Sequence, residues 1–533
     1  MTRTRLGHDH PDVATTLNNL GLLYNSMGRY DQAEPLSHQA LEMRKQLLGE
    51  NHPDVATSLN NLAFLYKSME RYDQAEPLFQ QAFELFKQLL GQEHPHVATS
   101  LNNLAGLYNS MGRYDQAEPL YQQALEIRKQ LLGHHHPDVA TSLNNLAGLY
   151  NSMGRYDQAE PLFQQAFELF KQLLGQEHPH VATSLNNLAA LYYNQGRYDQ
   201  AEPLYQQALE IRKQRLGENH PDVATSLNNL AALYKSMERY DQAEPLLVQA
   251  LEIRKQLLGH DHPHVATSLN NLAFLYDEMG RYDQAEPLYH QALEMRKQLL
   301  GENHPDVATS LNNLAFLYKS MGRYDQAEPL YQQALEMIKQ LLGHHHPDVA
   351  TSLNGLANLY DEMGRYDQAE PLYQQALEMR KQLLGHHHPD VASSFNNLAL
   401  LYYNQGRYDE AEPLYQQALE LYKQRLAHHH PLVATSLNNL ALLYSSMGRY
   451  DEAEPLYQQA LEMEKQLLGH DHPHVGTSLN NLAELYRYQG RYDQAEHLYQ
   501  QALDILEHRL GSNHPNTVTC RENLESLRND LSQ

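Results

Sequence analysis

Apolar residues fall at intervals of three and four through the stretch PDVATTLNNLGLLYNSMG, at Val13, Leu17, Leu20, Gly21 and Tyr24. An α-helix turns once every 3.6 residues, so this spacing collects a single apolar stripe on one side of a helix. Pro11 suits the first helical position, where its missing N–H would be unpaired anyway, and Gly28 suits the left-handed residue that ends a helix. The pattern predicts a helix A over 11–27. The next stretch places Ala33, Leu36, Ala40, Leu41, Leu47 and Leu48 at the same intervals, with Gly49 as the stop, and predicts a helix B. Asp31 and Glu34 read as a D-x-x-E capping box, and Pro35 is then expected to distort the first turn of helix B. Strand-like alternation occurs nowhere, so the chain reads as all-α.

The helix pair repeats. The dipeptide His-Pro begins at His10, His52, His94, His136, His178, His220, His262, His304, His346, His388, His430, His472 and His514, each 42 residues after the last. A fixed period of this size means stacked units that bury a continuous core only as an array. Twelve repeats cover 10–513, with 1–9 before them and 514–533 after. The expected fold is a right-handed α-solenoid, a superhelix of twelve antiparallel helix pairs plus a C-terminal capping helix, in which each repeat touches only its neighbours. In the last segment Arg521, Glu525 and Arg528 stand where the first repeat has Leu17, Gly21 and Tyr24, so the face that would receive another repeat is charged and reads as a solvating cap. Arg5, Leu6 and Gly7 align one period ahead of Leu47, Leu48 and Gly49 and read as the remnant of a preceding helix B. The first pair is thereby left uncapped, open to a partner or to self-association.

Leu17, Leu20, Gly21, Tyr24, Ala33 and Ala40 resemble the tetratricopeptide (TPR) pattern of a large residue, Leu, a small residue, an aromatic, Ala and Ala. The 42-residue period and the recurring phrases HPDVATSLNNLAxLY and GRYDQAEPLYQQALEIRKQLLG resemble the kinesin light chain type of TPR found in bacterial multi-repeat proteins. Kinesin light chains carry a long coiled coil ahead of their repeats, whereas nine residues precede these. The resemblance implies a protein-binding array whose helix A columns line a concave groove.

Composition narrows the function classes. Forty Lys and Arg against 65 Asp and Glu give a net charge of −25, and such a surface repels nucleic-acid backbones. One cysteine, Cys520, excludes disulfide frameworks and Cys-based zinc modules, and reads as a small apolar residue on the closing helix. The N-terminus MTRTRLGHDH lacks an apolar core, and nowhere do 18 apolar residues run together, so neither a signal peptide nor a membrane span is predicted and a cytoplasmic location is expected.

On helix A, Thr15, Asn18, Asn19, Leu22, Asn25 and Ser26 cluster opposite the core stripe. The Asn18 column is asparagine in every repeat: Asn18, Asn60, Asn102, Asn144, Asn186, Asn228, Asn270, Asn312, Asn354, Asn396, Asn438 and Asn480. The Asn19 column breaks only at Gly355. An amide both donates and accepts, which fits the backbone of an extended peptide, and fits equally a ladder joining neighbouring helices. The Leu22 and Asn25 columns vary while the core columns barely change, and they contribute Phe64, Tyr193, Phe274, Phe316 and Tyr403 as candidate partner-binding side chains.

Thirteen of the 32 histidines belong to the His-Pro dipeptides, and further ones form runs at 134–136, 344–346, 386–388 and 428–430. These sit in loops without a recurring carboxylate or thiol, so no dedicated metal site and no cofactor are expected. Phosphate-binding, dinucleotide and metalloprotease motifs do not occur. Twelve equivalent positions do not make the one strained, charge-tuned site that catalysis requires. The sequence therefore reads as a non-catalytic scaffold that binds a peptide or a folded protein, with neither nucleic acid nor membrane as a partner. The other reading is the sensor or docking portion of a longer signalling protein.

Overall fold

The computed structural model describes residues 10–426, 430–512 and 514–532. Among them are 25 helices and no strand. Helix A of the first repeat spans Pro11–Ser26 and helix B spans Tyr30–Leu48, and the pair recurs with the sequence period up to Pro473–Tyr488 and Tyr492–Leu510. Pro515–Ser532 closes the series. No described helix is long and apolar enough to cross a membrane. The expected remnant at 1–9 lies outside the described residues, as do His428 and His429 of one histidine run.

The His-Pro dipeptide starts every helix A. Pro53 takes the first helical position, and His52 caps the helix by accepting the Asp54 amide on Nδ1 at 3.1 Å. All thirteen such histidines make this bond, from His10 with Asp12 to His514 with Asn516. One of the orphan N–H groups of each helix start is thereby satisfied.

Helix B departs from its expected start. It begins at Tyr30, not after an Asp31 cap; Arg29 stands at the cap position without a side-chain bond, and Pro35 lies inside a continuous helix. Glu34 does not close a capping box. It reaches the next repeat instead, where Oε1 accepts the Tyr66 hydroxyl and Oε2 accepts Arg71 Nη1, both at 3.0 Å.

The residues form two units. One comprises 1–191, 202–235 and 239–359, and the other 192–201, 236–238 and 360–533. In each, most repeats bury Val, Ala and Leu from helix A and Ala and an aromatic from helix B, as with Val97, Ala98, Leu101, Ala117 and Tyr121; Leu247 replaces the aromatic in the sixth repeat. At the end of the second unit, Cys520, Leu524 and Leu527 are buried, while Arg521 pairs with Glu507 at 2.6 Å and Arg528 with Glu496 at 2.7 Å.

Within the first unit, repeats also touch well beyond their neighbours. Gly28, at the corner between helices A and B of repeat one, has φ +65, and a Cβ there would sit 2.7 Å from Pro263 Cδ of repeat seven. Gly112 meets Pro347 in the same way, and His346 Nε2 lies 3.4 Å from the Ser110 carbonyl. The expectation of neighbour-only contact is therefore corrected. Small rotations between repeats accumulate until the array meets itself, and only glycine fits the corner there without strain.

Candidate partner-binding face

The Asn18 column points along the array. Asn60, Asn144, Asn312 and Asn438 donate from Nδ2 to the buried serine of the next repeat, Ser100, Ser184, Ser352 and Ser478, at 2.8 to 3.1 Å. Asn270 stands 3.5 Å from Ser310 in the same arrangement. Where helix B carries an arginine, the serine of the following helix A takes it as a donor: Arg128 Nη1 donates to Ser142 and Arg296 Nη1 to Ser310, each at 2.8 Å. The Asn19 column completes a second rung: Asn145, Asn229, Asn439 and Asn523 donate to Oδ1 of Asn102, Asn186, Asn396 and Asn480 at 2.8 to 3.1 Å. Asn18 and Asn228 are buried, and Asn354 is engaged as well. The two columns thus bond neighbouring A helices to one another.

The aromatic candidates face outward to different degrees. Phe64 is 48% exposed and lines a cavity of about 210 Å³ with Lys67, Asn102, Asn103, Gly106 and Asn145. Gly106 keeps that cavity open: Lys67 Nζ donates to its carbonyl at 2.9 Å, and a Cβ there would meet Lys67 Nζ at 3.2 Å and Tyr121 Oη at 3.3 Å. Burial pulls the Lys67 ammonium below its ordinary pKa and pushes the Tyr121 hydroxyl up to about 12.

Five repeats on from Phe64, Phe274 and its successor Phe316 are half-buried and lie 6.1 Å apart between ring centroids. Lys235 Nζ stands 3.9 Å from the Phe274 centroid, and Lys319 Nζ 5.2 Å from that of Phe316. Such cation–π contacts hold ammonium groups against ring faces. Between the lysines, Asp277 is buried, and burial followed by the neighbouring Glu278 pushes its carboxyl up to about 6. Tyr193 and Tyr403 bridge repeats through Ser236 at 2.8 Å and Ser446 at 2.9 Å. The structure therefore brings Phe274 and Phe316 together, sets Phe64 beside the asparagine rungs, and leaves Tyr193 and Tyr403 as separate bridges.

Of the described histidine runs, His136, His346 and His388 cap helices. Cys520 is fully buried, 3.6 Å from the Tyr499 carbonyl, and burial pushes its thiol up to about 12, so it is not a thiolate near neutral pH. The recurring contact that sequence reasoning missed is the carboxylate clamp begun by Glu34. Its signal was an invariant Glu, Tyr and Arg in each of the twelve repeats.

No curated protein matches the chain. Among solved structures, a putative kinesin light chain with nearly identical TPR-like repeats from Podosopora anserina is 27% identical over 39% of this chain and 98% of its own, with a TM-score of 0.34. BtubC (BKLC) from P. vanneervenii is 27% identical over 46% of this chain and 93% of its own, with a TM-score of 0.35. A Rap protein complexed with competence and sporulation factor is 17% identical over 70% of this chain and 99% of its own, with a TM-score of 0.47. A family model described as tetratricopeptide repeat matches in overlapping segments that run from 12–88 and 96–172 to 390–466 and 432–508, and a second model of the same description matches 60–131. With its paired helices and a repeat matched along almost its whole length, the chain belongs to the tetratricopeptide repeat family, a scaffold type built for protein interaction.

Proposed function

We propose that the chain is a non-catalytic scaffold that holds an extended peptide segment of a protein partner along its A-helix face. The observation that carries this reading is the pair Phe274 and Phe316, flanked by Lys235 and Lys319, on columns that vary while the core columns stay constant. A varied aromatic surface over an invariant frame is what recognition needs, because packing does not dictate those residues. The asparagine rungs keep neighbouring A helices in register, and Phe64, Phe274 and Phe316 of the first unit make the contact. Apolar peptide side chains pack on the rings, and carboxylates of the peptide pair with the lysines.

Selection of a random peptide library on the full chain tests this reading. Selected peptides should carry an apolar side chain near an acidic one and should bind at least about tenfold more weakly to the Phe274→Ala, Phe316→Ala double variant, since buried aromatic anchors dominate such contacts. The melting temperature should barely change. Peptides that bind the double variant unchanged would place recognition elsewhere.

A further inference from the structure

In ten of the twelve repeats the corner between helices A and B carries glycine; Glu70 and Glu238 are the two exceptions, with φ +54 and +50. A side chain held in the left-handed region needs a reason to stay there, since a Cβ is disfavoured in it. In the second unit the reason is a cluster. Glu238 Oε1 lies 3.0 Å from His474 Nε2, and Oε2 lies 3.4 Å from His472 Nε2. The ligand atoms of all three residues fall within 4.8 Å of one another. Bonds of 2.0 to 2.2 Å around a tetrahedral zinc ion put ligand atoms about 3.4 Å apart, so these spacings suit an ion among them.

Glu70 supplies an internal control. The residues set 168 positions before Glu238, His472, His474 and Glu464 are Glu70, His304, Asp306 and Arg296. There the arginine supplies the positive charge: Arg296 Nη2 stands 3.8 Å from Asp306 Oδ1, and its charge opposes the upward shift of Glu70. In the second unit the arginine has become Glu464 and the aspartate His474. The cation is gone and two carboxylates remain. Glu464 is 4% exposed; its Oε1 accepts the Asn438 amide at 3.2 Å and its Oε2 has no hydrogen-bond partner. It feels the charges of both His474 and Glu238.

We propose that Glu238, His472 and His474 form a binding site for a divalent zinc-type ion, with Glu464 as the buried carboxylate beside it. Two imidazoles and a carboxylate are a zinc ligand set, and the remaining position is open to water. His474 is the entry side, its side chain 53% exposed against 6% for His472 and 19% for Glu238. His472 Nδ1 accepts the His474 amide at 3.2 Å, so metal capture at Nε2 moves the ring proton to Nδ1 and gives up that cap, a cost small beside the affinity of a three-ligand site.

Neutral imidazoles are metal ligands wherever they are exposed, so the test compares full-length chains that share the same histidine runs. After dialysis against chelator, zinc chloride is titrated calorimetrically into the natural chain and into Glu238→Gly and His474→Leu variants, whose new residues occur at the same positions in other repeats, as Gly28 and Leu432. The natural chain should show one tight equivalent above the weak sites. Each variant should lose it while keeping its metal-free helicity, and Glu238→Gly should melt no lower than the natural chain. Glu464→Gln should weaken it by roughly 10- to 100-fold, the usual effect of a supporting carboxylate. Cobalt chloride should give the visible absorption of four-coordinate Co²⁺ in the natural chain alone. Absence of the tight equivalent, or its persistence in Glu238→Gly and His474→Leu, would overturn the proposal.

Discussion

Arg113 reaches back across a repeat boundary to Glu76, its Nη1 2.7 Å from Oε2, while its guanidinium lies 4.3 Å from the centroid of the Tyr108 ring. Tyr108 donates its hydroxyl to the other carboxylate oxygen at 3.0 Å. One carboxylate thus takes two donors from the next repeat, and those two stack on each other. The arrangement recurs at Glu118, Tyr150 and Arg155 and at Glu412, Tyr444 and Arg449. Because each clamp joins helix B of one repeat to helix A and the corner of the next, it fixes how consecutive repeats rotate.

The clamp predicts an asymmetry between two substitutions. Arg113→Lys keeps the charge but loses the planar group that both stacks and donates, so it should cost nearly as much as Arg113→Ala, about 1 kcal/mol. Both partners are partly exposed, at 30% and 22%, which holds the figure to that order. Hydrogen exchange should report the loss at the boundary between 72–90 and 95–110 and at the start of 347–362, where Pro347 meets the neighbouring Gly112. A lysine variant with natural exchange would show that charge alone matters.

The asparagine rungs predict loss of stability. Asn144→Ala removes the donor to Ser184, and Asn312→Ala the donor to Ser352, each worth about 0.5–1.5 kcal/mol for a buried hydrogen bond. Urea midpoints should fall in both, and more in the pair than in either alone. Unchanged midpoints together with lost peptide binding would assign these amides to the partner instead.

Glu70 predicts a stability that falls as pH rises. Its side chain is pushed up to about 8, first by burial and then by Asp306 and Asp348 of the first unit, with Arg296 opposing. An unfolded glutamate titrates near 4.3, so between about pH 4.3 and 8 the folded chain holds a proton that the unfolded chain has released. Folding takes up that proton, and stability must decline across the window. Glu70→Gly removes both this penalty and the left-handed side chain, whose cost is roughly 1–2 kcal/mol. The variant should melt higher, with the gain growing from pH 5 to pH 8. A gain independent of pH would assign the whole effect to the backbone.

Much of the frame was readable because it rests on local rules. The intervals between Val13, Leu17 and Tyr24 fixed helix A to within a residue, and Gly49 marked the end of helix B. Glu34 was misread because D-x-x-E is also a local rule, and nothing within one repeat reveals that a side chain is spent on the next. The histidine caps were visible only as a dipeptide repeated thirteen times. The meeting of Gly28 with Pro263 was not readable at all, since it depends on a small rotation summed over several repeats. Glu70 and Glu238, each in place of an expected glycine, were its only trace.

That meeting of distant repeats makes acid a selective probe. His262 is 3% exposed where repeat seven meets Gly28, and burial, with the charge of His264 next, pushes it down to about 4; Arg254 acts in the same direction and the Ser26 carbonyl opposes. In the second unit burial likewise pushes His430 down to about 4, against the Asn194 carbonyl, and a Cβ on Gly196 would lie 2.7 Å from its ring. An unfolded histidine titrates near 6.5, so above that pH both states are neutral and neither residue affects stability. Between about 6.5 and 4 the unfolded chain binds protons that the folded chain refuses, and stability must fall as the pH falls, by at most about 1.4 kcal/mol per pH unit for each histidine. Asparagine is a good helix cap that does not titrate. Urea midpoints of His262→Asn and His430→Asn should therefore match the natural chain at pH 7.5 and exceed it at pH 5. Exposed histidines contribute equally to both chains and cancel in the comparison. Parallel profiles for variant and natural chain would mean that these rings charge freely and that the contacts between distant repeats open before they do.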